Sequence, residues 1–350
     1  MLDMTNQSKI LYSGLRALGR ELVKDEWNNA RYTILLDENT FQHCLPLLVS
    51  NIEVLHEAEF IEVPAGEECK NLEVAAQVWQ TLLEGGADRN HVLVCLGGGS
   101  VCDLGGFVAA GYKRGIRHIN VPTTLLAMVD AAIGGKTAID FGGVKNSIGH
   151  FYPARLTCIE RAFCNTLQPE QALCGLMEMV KTAAVTDKDL FASLISNDDI
   201  PMSAIAEVAR IKARVVKADP YDHSVRRILN FGHTFGHAFE INPATAMPHG
   251  MAVGVGMLVA MYLSVRKTGL GKDIYNSYYQ WLTRHVALPG LTLRDIEPML
   301  ALMHHDKKCA EGQLLCVLLQ DIGAAVIDVV VSDNEVRDAL LHVCRKSPKH

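Results

Sequence analysis

Residues 91–107 read HVLVCLGGGSVCDLGGF, and this stretch decides the fold. His91–Leu96 is a short β-rich apolar run of the kind that forms a buried strand. It runs straight into Gly97-Gly98-Gly99-Ser100, after which Asp103, Phe107 and Ala110 fall at helical spacing. Strand, glycine turn and helix in that order open a strand–helix–strand crossover. Three glycines let a backbone approach a phosphate closely, and the helix after them would offer unpaired N–H groups and a positive dipole end. The dinucleotide fingerprint GxGxxG is not met, because Cys102 stands at its third glycine, and no Walker lysine follows. Alone, the loop fits a pyrophosphate cradle and a tight structural turn equally well.

Working outward, Tyr32–Asp37 (YTILLD), Glu59–Val63 (EFIEV) and His118–Val121 (HINV) are further strand-like runs. Between them Asn71–Gly86 places Leu72, Ala75, Val78, Trp79 and Leu82 on one helical face. The alternation predicts an open, mostly parallel α/β nucleotide-binding domain over residues 1–167, whose ligands bind beyond the C-terminal strand ends. Asp37 and Asn39 end one such strand and suit ribose hydroxyls. Pro122-Thr123-Thr124 ends another and supplies hydroxyls. Asp37 and Thr123 suit helix capping equally, so the glycine loop is what tilts them toward a nucleotide.

From about Leu167 the texture becomes helical. Gln168–Ala184, Ile200–Ala218, Arg227–Ile241, His249–Thr268, Asp273–Val286 and Leu293–Met303 carry helical periodicity. A late hairpin at Val317–Val331 is the one strand-like region. Residues 168–350 are therefore expected to form a second, mainly α-helical domain, and a cleft between domains commonly hosts cofactor chemistry.

Bulk properties narrow the function. The 350 residues are 49 % hydrophobic and 21 % charged, and the net charge of -6 disfavours nucleic acid as a partner. Ten cysteines form no CxxC pair, and several, such as Cys95 and Cys316, sit in apolar runs. Core thiols in a reducing cytoplasm fit better than a disulfide framework. The start MLDMTNQSK has no basic region followed by an apolar one, so export is not expected. The longest uncharged apolar run, Met251–Val265, is too short for a membrane span and reads as a buried helix.

Chemistry concentrates in Asn230–His237 (NFGHTFGH), where His233 and His237 lie four apart and share one helical face. His249 begins the next apolar helix, and Glu178 is an acid inside an apolar helical stretch. A catalytic zinc site needs about three N/O ligands and an open position. One glutamate and two of these histidines would supply it, leaving the third for proton exchange. Spacing does not say which of His233 and His237 binds. The metalloprotease reading fails, since no glutamate sits between them. Arg114, Lys136, Lys145, Lys181, Lys212, Arg226 and Lys307 recur beside glycines or among apolar residues, as cations aimed at an anionic substrate would. Gly134–Thr137 and Val144–Asn146 read as tight turns that would aim such cations inward. Arg226 and Arg227, being adjacent on a helix, should face different ways.

Together GGGSVCDLGGF, VPTTLLAMVDAAIGGKTAID, VKNSIGHF, MEMVK, LNFGHTFGHAFE, PHGMAV and HDKK, in this order and spacing, resemble the dehydroquinate synthase family over nearly the whole chain. The pattern is most similar to bacterial monofunctional forms. The resemblance implies NAD held by Asp37, Asn39, Glu67, Lys70, Gly98, Gly99, Ser100, Asp103, Thr123, Thr124, Lys136 and Lys145. It implies Zn2+, or another divalent metal such as Co2+, on Glu178, His233 and His249. His237 then takes the acid/base role, and Asp130, Lys136, Asn146, Lys181, Lys212, Arg226, Asn230 and Lys307 (or Lys308) match substrate-side positions. Arg114 matches an arginine that reaches the neighbouring subunit's site, which implies a homodimer. The implied reaction converts 3-deoxy-D-arabino-heptulosonate 7-phosphate, a phosphorylated sugar acid, into 3-dehydroquinate and phosphate, in the route to chorismate and aromatic amino acids. Gly250-Met251 after His249, Leu176-Met177 before Glu178, and Thr182 after Lys181 depart from the commoner pattern. The nearest rivals are a cyclase for another sugar phosphate and a metal-dependent polyol or alcohol dehydrogenase. A silent NAD- or metal-binding regulator stands further off, because the matched ligands are intact.

Overall fold

The computed structural model describes residues 8–197, 199–305, 309–310 and 313–344. The chain forms two compact units. One holds the described residues up to Ala172 together with Ile205–Lys217; the other holds Leu173–Ala204 and the described residues from Ala218 onward.

In the first unit strands and helices alternate as the sequence pattern predicts. They are β1 (Lys9–Leu11), α1 (Gly14–Leu22), β2 (Tyr32–Asp37), α2 (Glu38–His43), α3 (Leu45–Asn51), β3 (Glu59–Val63), α4 (Leu72–Glu84), β4 (Val92–Gly97), α5 (Gly99–Gly111) and β5 (Arg117–Pro122). A hairpin of β6 (Lys136–Phe141) and β7 (Val144–Phe151) follows, then β8 (Leu156–Cys158). Six strands make one parallel sheet in the order β1-β8-β5-β4-β2-β3. β2 and β4 are buried at every position, which is why they read as continuous apolar runs rather than alternating ones. Val74, Ala75, Val78 and Leu82 of α4 share a core cluster with Leu35, Leu93, Cys95, Leu104 and Val108. Leu72, expected on that face, is 44 % exposed at the first position of α4, and Val74 takes its place.

The topology fixes where a ligand would go. The chain runs from β2 outward to β3, then returns past β2 to β4 and on to β5. Neighbouring β2 and β4 thus send their continuations in opposite directions, and ligands of open α/β sheets bind beyond the strand ends at such a switch point. The pairing Leu36↔Leu96 sets Asp37 beside Gly97 there, and Gly97↔Pro122 adds Thr123.

Two local expectations change. Gly134 and Gly135 do turn the chain, at φ +116° and +68°, but Lys136 opens β6, and Lys145 and Asn146 lie within β7. The tight turn is Gly142–Gly143, at φ +61° and +78°. The hairpin was hard to read because β7 is exposed along its whole length and so carries no buried apolar alternation.

The second unit is built on α6 (Pro169–Thr186), α7 (Lys188–Ser196), the ends of α8 (Met202–Ala218), α9 (His233–Ile241), α10 (His249–Lys267), α11 (Lys272–His285), α12 (Leu293–His305) and α13 (Asp333–Cys344). The expected hairpin is present as β10 (Gln313–Asp321) and β11 (Ala324–Val331), joined by the short β9 (Cys309–Ala310) in one antiparallel sheet. The single helix expected over Arg227–Ile241 is broken. A 3-10 turn covers Val225–Asn230, and Gly232 stands at φ +79° before α9 begins. A side chain at Gly232 would be strained by that φ, and its Cβ would meet the Met257 backbone nitrogen at 2.8 Å. Helix α10 is apolar and long enough for a membrane by composition alone, but 72 % of its apolar window is buried within the protein, so it is a core helix.

Nine cysteines have described side chains. All are free thiols, and all but Cys164 are buried. Burial pushes the Cys95 thiol up to about 12, as expected of an inert core group.

Candidate metal centre and nucleotide edge

Three helices of the second unit each bring one side chain that could hold a metal to the same point. Glu178 comes from the middle of α6, where every residue from Cys174 to Val185 is buried. His233 is the first residue of α9 and His249 the first of α10. Their donor atoms lie within 4.8 Å of one another. Glu178 Oε1 stands 3.7 Å from His233 Nε2 and 3.5 Å from His249 Nε2. Ligands about 2.0–2.1 Å from a zinc ion at tetrahedral angles lie about 3.3 Å apart, so these spacings suit a shared divalent cation.

Two further observations support the fit. The Glu178 carboxylate is 1 % exposed, and its Oε1 has no hydrogen-bond partner among the described residues, a costly arrangement in a dry interior unless a cation completes it. Lys181, 2 % exposed and one turn along α6, rests its ammonium against Oε2. Burial opposes the Glu178 charge, but Lys181 and His249 outweigh it and hold the carboxyl well below its usual range. Burial likewise opposes a charged His249, and Glu178 and Glu240 outweigh it in the other direction. His233 Nδ1 faces the Phe231 carbonyl at 3.4 Å, which turns Nε2 toward Glu178.

His237 lies one turn along α9, its ring 5.4 Å from that of His233 and 6.2 Å from that of His249. It stands beside the triad rather than in it, which separates the two histidines that spacing left equivalent. Asn230 ends the 3-10 turn and lines a small cavity with Thr234 and Cys316. The two neighbouring arginines part as expected. Arg226 is 4 % exposed and donates to the Pro220 carbonyl at 3.0 Å, while Arg227 forms a surface ion pair with Asp328. Asp219, which the sequence did not single out, accepts backbone N–H groups of His223, Ser224 and Arg226 and so shapes the loop before Arg226. Lys307 and Lys308 lie outside the described residues.

In the first unit the glycine loop meets the requirement for an anion. Helix α5 starts at Gly99 after Gly98, with no side-chain cap and no acid in its first turn. Its leading N–H groups therefore have no side-chain partner of their own. A Cβ on Gly98 would come 3.1 Å from Thr124 Cγ2, and one on Gly97 only 2.5 Å from Val101 Cβ. Asp37 caps α2, its Oδ1 accepting from Thr40 N at 2.8 Å, so the capping reading is realised at the same strand end. Asn39 is exposed in the next turn. Thr123 donates its N–H to the Gly97 carbonyl at 2.9 Å, and the Thr124 hydroxyl accepts from Ala127 N at 3.1 Å.

Beside this edge, Lys70 is 3 % exposed and donates to Asp103 Oδ2 at 2.8 Å and to Asn146 Oδ1 at 2.6 Å. Burial pushes the Asp103 carboxyl up to about 6 against the pull of Lys70. Glu67 accepts from Ser100 Oγ at 2.6 Å. Asn146, at φ +51°, is held through its N–H by Asp140 at 2.7 Å. These contacts join residues expected on the cofactor with one expected on the substrate. Lys136 and Lys145 are exposed on the hairpin. Lys212 is 7 % exposed and donates to the Asp130 carbonyl and carboxylate at 2.7 and 2.5 Å. Asp130 sits in a π-helical turn, Ala127–Ala131, an uncommon element that recurs at functional sites. Arg114 is exposed, and both it and Lys113 hold left-handed φ values of +66° and +48°. Such backbone is strained in non-glycine residues and persists only where its surroundings enforce it.

Comparison with known proteins identifies the family. Residues 60–174 match the 3-dehydroquinate synthase N-terminal family model and residues 175–309 the C-terminal one. The chain is 37 % identical over 316 residues to the 3-dehydroquinate synthase of Parabacteroides distasonis, covering 88 % of this chain and 89 % of that protein. Among solved structures, 2-epi-5-epi-valiolone synthase from Streptomyces hygroscopicus subsp. jinggangensis 5008, with NAD+ and Zn2+ bound, is similar at TM-score 0.79 and 28 % identity, covering 90 % and 91 % of the two chains. A 2-deoxy-scyllo-inosose synthase complexed with carbaglucose-6-phosphate, NAD+ and Co2+ shares the fold at TM-score 0.81 and 23 % identity, covering 95 % and 96 %. With the two family models matching adjoining stretches that together span residues 60–309, and a relative of this similarity over most of its length, the chain belongs to the 3-dehydroquinate synthase family.

Proposed function

We propose that the chain converts 3-deoxy-D-arabino-heptulosonate 7-phosphate into 3-dehydroquinate and inorganic phosphate, as a phosphate-eliminating lyase that closes a carbocycle. The observation that carries this reading, beside family membership, is the convergence of Glu178, His233 and His249 from three helices. We assign NAD to the domain over residues 1–167 and a divalent metal, zinc or cobalt, to the domain over residues 168–350. When bound, NAD+ takes and returns the hydride of one secondary alcohol while the metal polarises that hydroxyl.

The chain's own groups do the rest. The open N–H groups at Gly98, Gly99 and Ser100 hold the dinucleotide's phosphates, with Asp37, Asn39, Glu67, Lys70, Asp103, Thr123, Thr124 and Lys145 placing the remainder. Lys136, Asn146, Lys212, Arg226 and Asn230 bind the phosphate, carboxylate and hydroxyls of the sugar acid. Lys307 is assigned there from sequence alone. Asp130 keeps the Lys212 ammonium in one orientation, so its N–H groups are aimed before substrate arrives. Lys181 offsets the buried charge of Glu178 and offers its remaining N–H groups to a substrate oxygen. A ring nitrogen of His237, beside the triad but outside it, moves the proton of the reacting hydroxyl. The substrate's own phosphate leaves by elimination, after which ring opening and an internal aldol addition complete the product. We assign the chain to a homodimer in which Arg114 serves the partner's site, its strained backbone being the local support for that role. Buried free thiols support a reducing, cytoplasmic setting.

The test is phosphate release from that substrate with catalytic NAD+ and zinc, followed together with absorbance at 340 nm. Phosphate without net NADH, abolished by a chelator, is the expected result. No phosphate from folded, metal-loaded protein would point to a cyclase for another sugar phosphate, and steady NADH growth to a dehydrogenase.

A further inference from the structure

Glu240 enters none of the roles above, yet its Oε2 lies 2.8 Å from Nδ1 of His249. It occupies the last turn of α9, Ile241 being the final residue. A carboxylate there faces the negative end of the helix dipole, an unfavourable place for it. Such local conflicts persist where another interaction compensates. His249 opens α10, with Pro248 before it and no side-chain cap. Its ring would be free to turn about its side-chain bonds were nothing holding Nδ1. With Nδ1–H donated to Glu240, Nε2 is the nitrogen left to face Glu178 Oε1, at 3.5 Å. His233 is oriented differently, by a backbone carbonyl.

We propose that Glu240 is a positioning residue for the metal centre: its carboxylate fixes the tautomer and ring plane of His249, so that Nε2 meets the ion that Glu178 and His233 also bind. The arrangement is the carboxylate–histidine–metal relay in which an outer carboxylate orients a ligand and raises its basicity. Glu240 stands seven residues after His233 and three after His237, so the same face of α9 carries the ligand, the proton carrier and the orienting acid. The inference rests on the assignment of the triad as a metal site.

The experiment titrates the full-length protein with Zn2+ against a competing chelator, and separately with Co2+ while recording its visible absorption. Wild type should bind one equivalent of each; if it binds none, the metal-site assignment itself fails and this inference with it. Glu240→Ala should weaken zinc binding roughly 10- to 100-fold and alter the Co2+ band, with Glu240→Gln recovering part of the loss because its amide oxygen still accepts from Nδ1–H. Wild-type affinity and an unaltered Co2+ band in a folded E240A would overturn the proposal and leave Glu240 a simple tie between two helices. Should E240A fail to fold, Glu240→Asp decides. One methylene shorter, it keeps the charge but falls short of Nδ1, and should bind zinc several-fold more weakly; unchanged affinity there refutes the orienting role.

Discussion

Replacing Gly256 by alanine should dismantle the metal centre while leaving the fold in place. Gly256 lies on α10, and a Cβ there would stand 2.2 Å from the Gly232 carbonyl oxygen, 2.6 Å from Gly236 N and 3.0 Å from Gly236 Cα. All three are backbone atoms, so no side chain can swing aside. Against an ordinary contact of 3.4 Å the shortfall is about 1.2 Å, and α9 must move from α10 by about that much. Alanine gains up to about 1 kcal/mol in helix propensity, while overpacking costs about 1–3 kcal/mol. The net loss of stability is therefore between about 0 and 3 kcal/mol. The larger effect falls on ligand geometry, because α9 carries His233 and α10 carries His249. Metal–ligand lengths tolerate only about 0.2 Å, and a 1 Å misplacement in an active site costs about 100-fold in rate. G256A should bind zinc at least about tenfold more weakly and lose about 100-fold in turnover. Gly254→Ala is the internal control, since its nearest obstacle is the Met177 sulfur at 2.7 Å, the end of a flexible side chain. Zinc competition and urea unfolding on both variants decide the matter. Wild-type zinc affinity in G256A, or equal losses in G254A, would refute the claim that backbone contact between these helices sets the ligand spacing.

Glu178→Gln and His249→Ala should lose metal and activity together, whereas His237→Ala should keep metal and lose roughly 10²–10⁴-fold in turnover; metal analysis beside phosphate release checks this, and metal loss in H237A would reverse the two histidines. Arg114→Ala should be inactive alone, yet mixing with H237A should restore up to about a quarter of wild-type activity through mixed dimers; no recovery after subunit exchange would place Arg114 in its own subunit's site. His118, 2 % exposed and with Nδ1 unpartnered, is held by burial at a pKa of about 4 against 6.5 when free. The unfolded chain therefore binds the extra proton first, so stability is full above pH 6.5 and falls as pH drops toward 4, by about 2.5 kcal/mol at pH 4.5. Urea unfolding at pH 7 and 4.5 should show a smaller acid loss in His118→Leu than in wild type, and parallel losses would contradict the assignment.

The parallel sheet was legible in the sequence because its central strands are buried on both faces. YTILLD and HVLVCL have no alternation to misread, and their turn residues bound them sharply. Glu178 was legible for a related reason, since a lone acid in an apolar helix stands out against its neighbours. The β6–β7 hairpin was not, because β7 is exposed along its whole length and solvent places no apolar period on it. Nor could periodicity find the break at Gly232, where the turn exists to let backbone meet backbone. Spacing alone also left His233 and His237 equal. Only the approach of α10 to α9 put His233, and not His237, in the cluster that could hold a metal, and only that packing set Glu240 against His249. Local pattern reports which face of an element is buried. The distance between two elements far apart in sequence depends on which side chains are absent from their contact, and that is decided in three dimensions.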